Sequence, residues 1–156
     1  MKFEINMLKN MIFIKSVSTV ILMFVFAVGV HSQGCKGFTK NKCLPSLTPY
    51  TNNGQMNSTT LFEGDSASLR MTFYSLLDYR LLVCAHPILG DKVRFRVSDT
   101  DGEELYNSVE GGKDSWDFRV NSTQELIIDV VVPEDPSNAN NIPPSGCVTV
   151  VLGFRE

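Results

Sequence analysis

The chain has 156 residues, 43% hydrophobic and 20% charged, which is ordinary for one globular domain with a real core. Its formal net charge of −3 and the absence of any basic run after the first residues exclude nucleic acid or an anionic lipid surface as the natural partner. The four cysteines, Cys35, Cys43, Cys84 and Cys147, lack the close pairs or neighbouring histidines of a zinc site, so an oxidised chain without metal or cofactor is expected.

Met1 to Ser32 differs in kind from the rest of the chain. Lys2, Lys9 and Lys15 precede an uncharged run, Val17 to Val30, and a small residue, Ser32. Basic start, apolar middle and small-residue end read as a secretory signal peptide, cleaved after Ser32 to leave Gln33 first. The uncharged run is shorter than the ~20 residues of a membrane-spanning helix, so no stable span is expected after cleavage. Two other readings stand beside cleavage: an uncleaved anchor, and acylation of Cys35, which Ser32-Gln33-Gly34 suits poorly. Met7 and Met11 leave the start codon open. Loss of this segment removes three lysines and Glu4, making the mature surface more acidic.

Residues 33–58 read as an irregular leader, because Pro45, Pro49, Asn52, Asn53 and Gly54 interrupt any period. An even number of cysteines in an exported chain allows three connectivities for two bridges. The expected pairing is Cys35 with Cys43, closing a short leader loop, and Cys84 with Cys147, tying two strands at a gain of roughly 4 kcal/mol.

Residues 59–156 read as strands separated by turns, a single β-sandwich of about eight antiparallel strands, jelly-roll or GOLD-like. Ser68 to Tyr74 alternates, with Leu69, Met71 and Phe73 on one face. Tyr79 to His86 is the organising strand, and its two faces are almost equally apolar. Val93 to Val97 turns Phe95 inward and Arg94 and Arg96 outward. Ser115 to Val120 groups Trp116, Phe118 and Val120 against Asp117 and Arg119. Leu126 to Val132, apolar on both faces apart from Asp129, reads as a central strand covered twice. Val148 to Phe154 closes the series. If Leu81, Val83, Val148 and Val150 face the core, Cys84 and Cys147 both lie on the outer face. Gly64-Asp65, Gly90-Asp91, Asp101-Gly102 and Gly111-Gly112 supply turns, and Pro133 to Gly146 is the one long loop.

The order of these blocks, Met71-Thr72-Phe73-Tyr74, Asp78 to Cys84, Trp116-Asp117-Phe118, Gln124 to Ile128 and Gly146-Cys147-Val148, resembles a group of small, uncharacterised exported proteins of the Bacteroidota. The leader from Cys35 to Leu47 is similar too. The resemblance implies an envelope location and a compact sandwich, and brings no activity. A looser topological likeness is to the GOLD and bacterial pre-peptidase C-terminal sandwiches, which implies accessory or contact roles.

No catalytic motif stands out. Asp99-Thr100-Asp101-Gly102 invites calcium but lacks the spaced ligands of an EF-hand loop, and a hairpin turn explains it. His86, the one histidine after the signal, would have to serve any small secreted hydrolase, with no nucleophile announced nearby. Asp114 and Asp117 could suit glycoside hydrolysis only at a definite separation. Gly111-Gly112-Lys113 is no phosphate loop. Trp116 shares the phase of core residues; its alternative is a sugar platform. Asn57-Ser58-Thr59 and Asn121-Ser122-Thr123 fit N-glycosylation in a eukaryotic route, and Asp65-Ser66-Ala67 a bacterial O-glycosylation signal. The expected function is a non-catalytic binding module in the periplasm, at the cell surface or outside it. Its partner would be an envelope protein, with a glycan as the alternative. The candidate surface is Arg70, Arg94, Arg96 and Arg119 with Trp116.

Overall fold

The computed structural model describes residues 34–136 and 142–156. The signal-peptide reading of Met1 to Ser32 and the middle of the Pro133 to Gly146 loop lie outside the described residues. The strands are β1 (Thr51–Phe62), β2 (Ser66–Phe73), β3 (Asp78–Ala85), β4 (Arg94–Ser98), β5 (Glu104–Asn107), β6 (Ser115–Arg119), β7 (Gln124–Val131) and β8 (Ser145–Arg155). They form two four-stranded antiparallel sheets, ordered β1-β8-β3-β6 and β2-β7-β4-β5. That order is the eight-stranded jelly roll. Only β4 and β5 are consecutive strands of one sheet; every other connection crosses between sheets.

Alternation in the sequence explains which faces meet. Met71, Phe73, Phe95, Val97, Leu126, Ile128 and Val130 from one sheet pack against Leu81, Val83, Val148, Val150 and Leu152 from the other. A fully buried Leu, Ile or Phe stabilises by roughly 1.5–3 kcal/mol, so these two rows supply most of the favourable term. Leu126–Val132 departs from its expected double cover. β7 is central in its sheet, but only one face is packed, and Val131 is 41% exposed. Among the described residues no element lies over the outer face of that sheet.

The doubly covered strands are β3 and β8. Lys36–Phe38, Thr39–Cys43 and Leu44–Leu47 form three consecutive helical stretches where the sequence reads as irregular. Their Cys43 and Leu47 bury Leu82 and Val151 on the outer face of the β1-β8-β3-β6 sheet. The near-equal apolarity of both faces of Tyr79 to His86 is thereby accounted for. Gly153 permits the close approach of Tyr50, since a Cβ at that glycine would sit 2.7 Å from the Tyr50 side chain.

The same packing corrects the disulfides. The bonds are Cys35–Cys147 and Cys43–Cys84, with Cα atoms 5.4 and 5.8 Å apart. Cys35, Thr39 and Cys43 are spaced by four, which on helical turns aligns them on one face and separates the two sulfurs' Cα atoms by about 12 Å. That exceeds the reach of a disulfide. Cys84 and Cys147 do lie on the outer face of neighbouring strands, as their phase implies. Thr149, however, is opposite Cys84, so Cys147 is displaced by two residues along β8. Such a diagonal is roughly 7–8 Å, and each cysteine instead meets one from the leader above it. With Cys35 held in a disulfide, its sulfur is not available for acylation.

β1 is the largest strand that sequence patterning missed. Asn52, Asn53, Gly54 and Asn57 argue against a strand, and no apolar residue marks its inner face until Leu61. It is held from outside: Thr39, Ser58 and Thr149 hydroxyls form a triangle with edges of 2.9 to 3.0 Å. A register shift between Asn52 and Met56 absorbs extra residues, with Gly54 at φ 84° and its N–H donating to Asn52 Oδ1 at 2.7 Å.

Candidate functional site

The two long sides of the sandwich differ in how they close. On one side, the edge strands β5 and β6 are joined by a file of rings. Phe95, Tyr106, Trp116 and Phe118 succeed one another with centroid separations of 5.3, 5.4 and 4.0 Å. Phe118 continues onto Phe73 at 5.2 Å and Tyr79 at 5.7 Å. Tyr106 donates its hydroxyl to the Ser115 carbonyl at 3.2 Å, and burial raises its phenol pKa, with Asp114 adding to the shift. Trp116 is therefore part of the seal between the sheets, partly buried against the core, not a platform on the surface.

On the opposite side, β1 and β2 are the edges of their sheets, each paired to a single neighbour. Nothing among the described residues fills the gap between them. A cleft of about 300 Å³ lies near the β1–β2 turn, walled by Leu61, Ala67, Leu69 and Val150. A second of about 610 Å³ lies beyond it, between Gln55 and Asn57 of β1 and Arg70 and Thr72 of β2, reaching Tyr74 and Phe154. Asn57 borders both. The floor is apolar and the rim is amide and hydroxyl.

At the wide end stands the loop Tyr74 to Leu77, between β2 and β3. Tyr74 is 64% and Leu76 68% exposed. Leu76 has φ 69°, a left-handed conformation costly for a side chain of its kind. The loop is nonetheless pinned. Leu76 N–H donates to the Val120 carbonyl at 2.8 Å, Ser75 N–H to Thr123 Oγ1 at 3.2 Å, and Tyr74 N–H to the Tyr79 hydroxyl at 2.9 Å. That hydroxyl donates in turn to the Tyr74 carbonyl at 3.3 Å. The Tyr74 and Leu76 side chains are thus held out in water by a backbone whose N–H groups at residues 74 to 76 are all bonded.

The arginines do not form one surface. Arg70, Arg94 and Arg96 lie on the outer face of the β2-β7-β4-β5 sheet, and Arg119 lies on the other sheet. Three of them are engaged: Arg70 with Glu125 at 3.3 Å, Arg96 with Asp129 at 3.2 Å, and Arg119 with Asp78 at 3.3 Å. A two-pronged ion pair involves an arginine outside that set. Arg80 binds both carboxylate oxygens of Asp117, at 2.7 and 2.6 Å, and donates to the Thr48 carbonyl at 3.1 Å. The hydrogen bond from Arg80 is the main reason that the Asp117 carboxyl titrates below its ordinary value.

His86 accepts the Ile88 N–H at Nδ1, 3.3 Å, and its ring lies 5.5 Å from Phe38, so it caps the turn over Pro87–Lys92 and contacts the leader. Asp99 Oδ1 accepts the N–H groups of Asp101 and Glu103 at 2.9 and 2.8 Å within the β4–β5 turn. Among the described residues no group of three or more His, Cys, Asp or Glu side chains is placed to hold a metal. Asp114 immediately precedes β6 and Asp117 lies in its middle, committed to Arg80.

No protein-family model and no curated protein matches the sequence. Among solved structures, the chain is similar to a periplasmic inhibitor of g-type lysozyme from Aeromonas hydrophila, PliG. The identity is 8%, the match covers 65% of this chain and 85% of that one, and the TM-score is 0.46. A likeness of that size carries no argument about partner or activity.

Neither the cleft nor the loop was singled out from sequence. The crossing from one sheet to the other, with the Leu76 N–H tied to the Val120 carbonyl, turns the Leu76 side chain outward.

Proposed function

We propose that this protein is an exported, non-catalytic binding module whose partner is another protein of the envelope or its surroundings. The observation that carries the reading is the Tyr74 to Leu77 loop. Exposed aromatic and aliphatic side chains on a rigid backbone are what an interface anchor requires, because little ordering entropy remains to be lost on docking. Export is supported by the pairing of all four cysteines in two disulfides, which persist in oxidising compartments. The signal-like Met1 to Ser32 agrees with it, as does the resemblance to exported Bacteroidota proteins. His86 as a turn cap and Asp99 as a turn ligand give both residues structural employment, which supports the non-catalytic reading over a hydrolase built on His86.

The test is a photo-crosslinking side chain placed at Leu76 in the cells that make the protein, with the same probe at Arg94 as control. A discrete crosslinked protein at Leu76 and not at Arg94, lost in a Tyr74→Ser variant, is the expected result. Absence of any adduct specific to Leu76 would remove the loop as an anchor.

A further inference from the structure

Among the described residues, the β1–β2 side presents two free sheet edges over an apolar gap, and natural edges of this kind are usually blunted by charge, proline or cover. β1 carries neither a charged residue nor a proline from Thr51 to Phe62. Its one irregularity lies between Asn52 and Met56, and beyond it the register with β8 runs unbroken from Met56 to Phe62. β2 carries only Arg70, whose charge is met by Glu125. The edges on the sealed side are different: β5 has Glu104, and β6 has Asp117 and Arg119. The unprotected edge is thus the one beside the open gap.

Resting on the reading of the protein as a protein-binding module, we propose that an extended segment of the partner polypeptide adds as a strand to the free edge of β1, with alternate side chains entering the gap between the sheets. Several features select a polypeptide as occupant. A strand satisfies the row of unpaired N–H and C=O groups that an edge exposes, and a sugar does not match their spacing. The stretch of β1 from Met56 to Leu61, ahead of Phe62 whose N–H and carbonyl are bonded to Asp65, suits a segment of about six residues, with side chains alternating toward and away from the gap. The floor formed by Leu61, Leu69 and Val150 selects small or medium apolar residues at every second position. Asn57 and Thr59 on the rim face the occupant with neutral hydrogen-bonding groups. The cleft ends at Tyr74, so a segment lying along β1 runs directly to the pinned loop, and one partner can use both.

The experiment pans displayed random-sequence peptides against the disulfide-intact mature protein from Gln33 onward, then titrates a selected peptide into isotope-labelled protein. The expected peptides alternate apolar and polar residues, and shift backbone amides of residues 56–62 and 67–72. An Asn57→Lys/Thr59→Lys variant, with inward-pointing charges on the edge, should bind them about tenfold or more weakly. Its thermal midpoint, measured alongside, shows that the fold is kept. A Val109→Ser variant, at an exposed residue between β5 and β6 on the opposite side of the sandwich, should bind the same peptides with affinity changed by less than about twofold. No binding peptide would overturn the proposal. So would neutral oligosaccharides, tested on the same labelled protein, shifting these amides in place of peptides, or a dimer in solution that the lysine variant dissociates, which would make a second copy the occupant. A protein crosslinked at Leu76 without any peptide selected leaves the anchor reading standing and removes the strand. Selected peptides without a crosslink at Leu76 do the reverse.

Discussion

The two long sides of one sandwich use opposite solutions to the same problem. Where β5 and β6 end their sheets, a file of four rings from Phe95 to Phe118 closes the core from within. Where β1 and β2 end theirs, the core stays open, and β1 is secured from the outer face by the leader, a hydroxyl triangle and the Cys35–Cys147 bond. Side-chain packing that fills an edge leaves no room for a ligand; packing moved to the outer face keeps the edge in place and its inner side free.

The contrast between the sides can be broken most forcefully at the outer clamp. A Cys35→Ala/Cys147→Ala variant should lose about 5 kcal/mol on the chain-entropy model, read as a fall in the denaturant midpoint. Hydrogen exchange should locate the loosening in residues 56–61 of β1 and spare β6; equal loosening of both sides would contradict the assignment of separate supports. The sealed side comes next. Trp116→Ala should cost about 3 kcal/mol, since it empties the middle of the ring file. Leu69→Ala, on the open side, should cost about 1 kcal/mol, because it enlarges a cleft that water already reaches. If the two substitutions cost the same, the sides are not packed as differently as their geometry indicates.

The smallest effect is electrostatic. Arg80 holds the Asp117 carboxyl below its ordinary range, so this pair's contribution is present above the unfolded carboxylate value of about 4 and is lost as pH falls through the folded value. Because the Asp117 side chain is 45% exposed, the loss should stay below about 1 kcal/mol. Asp117→Asn should remove that part of the acid dependence, seen by comparing urea midpoints at pH 7 and pH 3.

Six of the eight strands are legible as β-rich runs between turns, and β2, β4 and β6 show the alternation that puts residues such as Met71, Phe73, Phe95 and Trp116 on the buried side. β1 and the short β5 escaped this reading. The polar inner face of β1 is visible in the sequence as Asn57 and Thr59, but a strand without an apolar stripe looks like a loop until its neighbour is known. The spacing of Cys35, Thr39 and Cys43 by four was a helical signal, masked by Pro45 and Pro49 just beyond it. The arginines were legible as outward and not as a shared surface, since their sheets are assigned only by topology.

The sequence by itself determined an all-β sandwich and the inward and outward phase of strands such as β2 and β4, because each depends on local alternation of side chains. Tertiary structure alone decided which cysteines bond, which strands become edges, and that Leu76 is turned into solvent beside an open cleft. Those outcomes depend on the order in which strands cross between the two sheets, a long-range choice that no short stretch of this chain encodes.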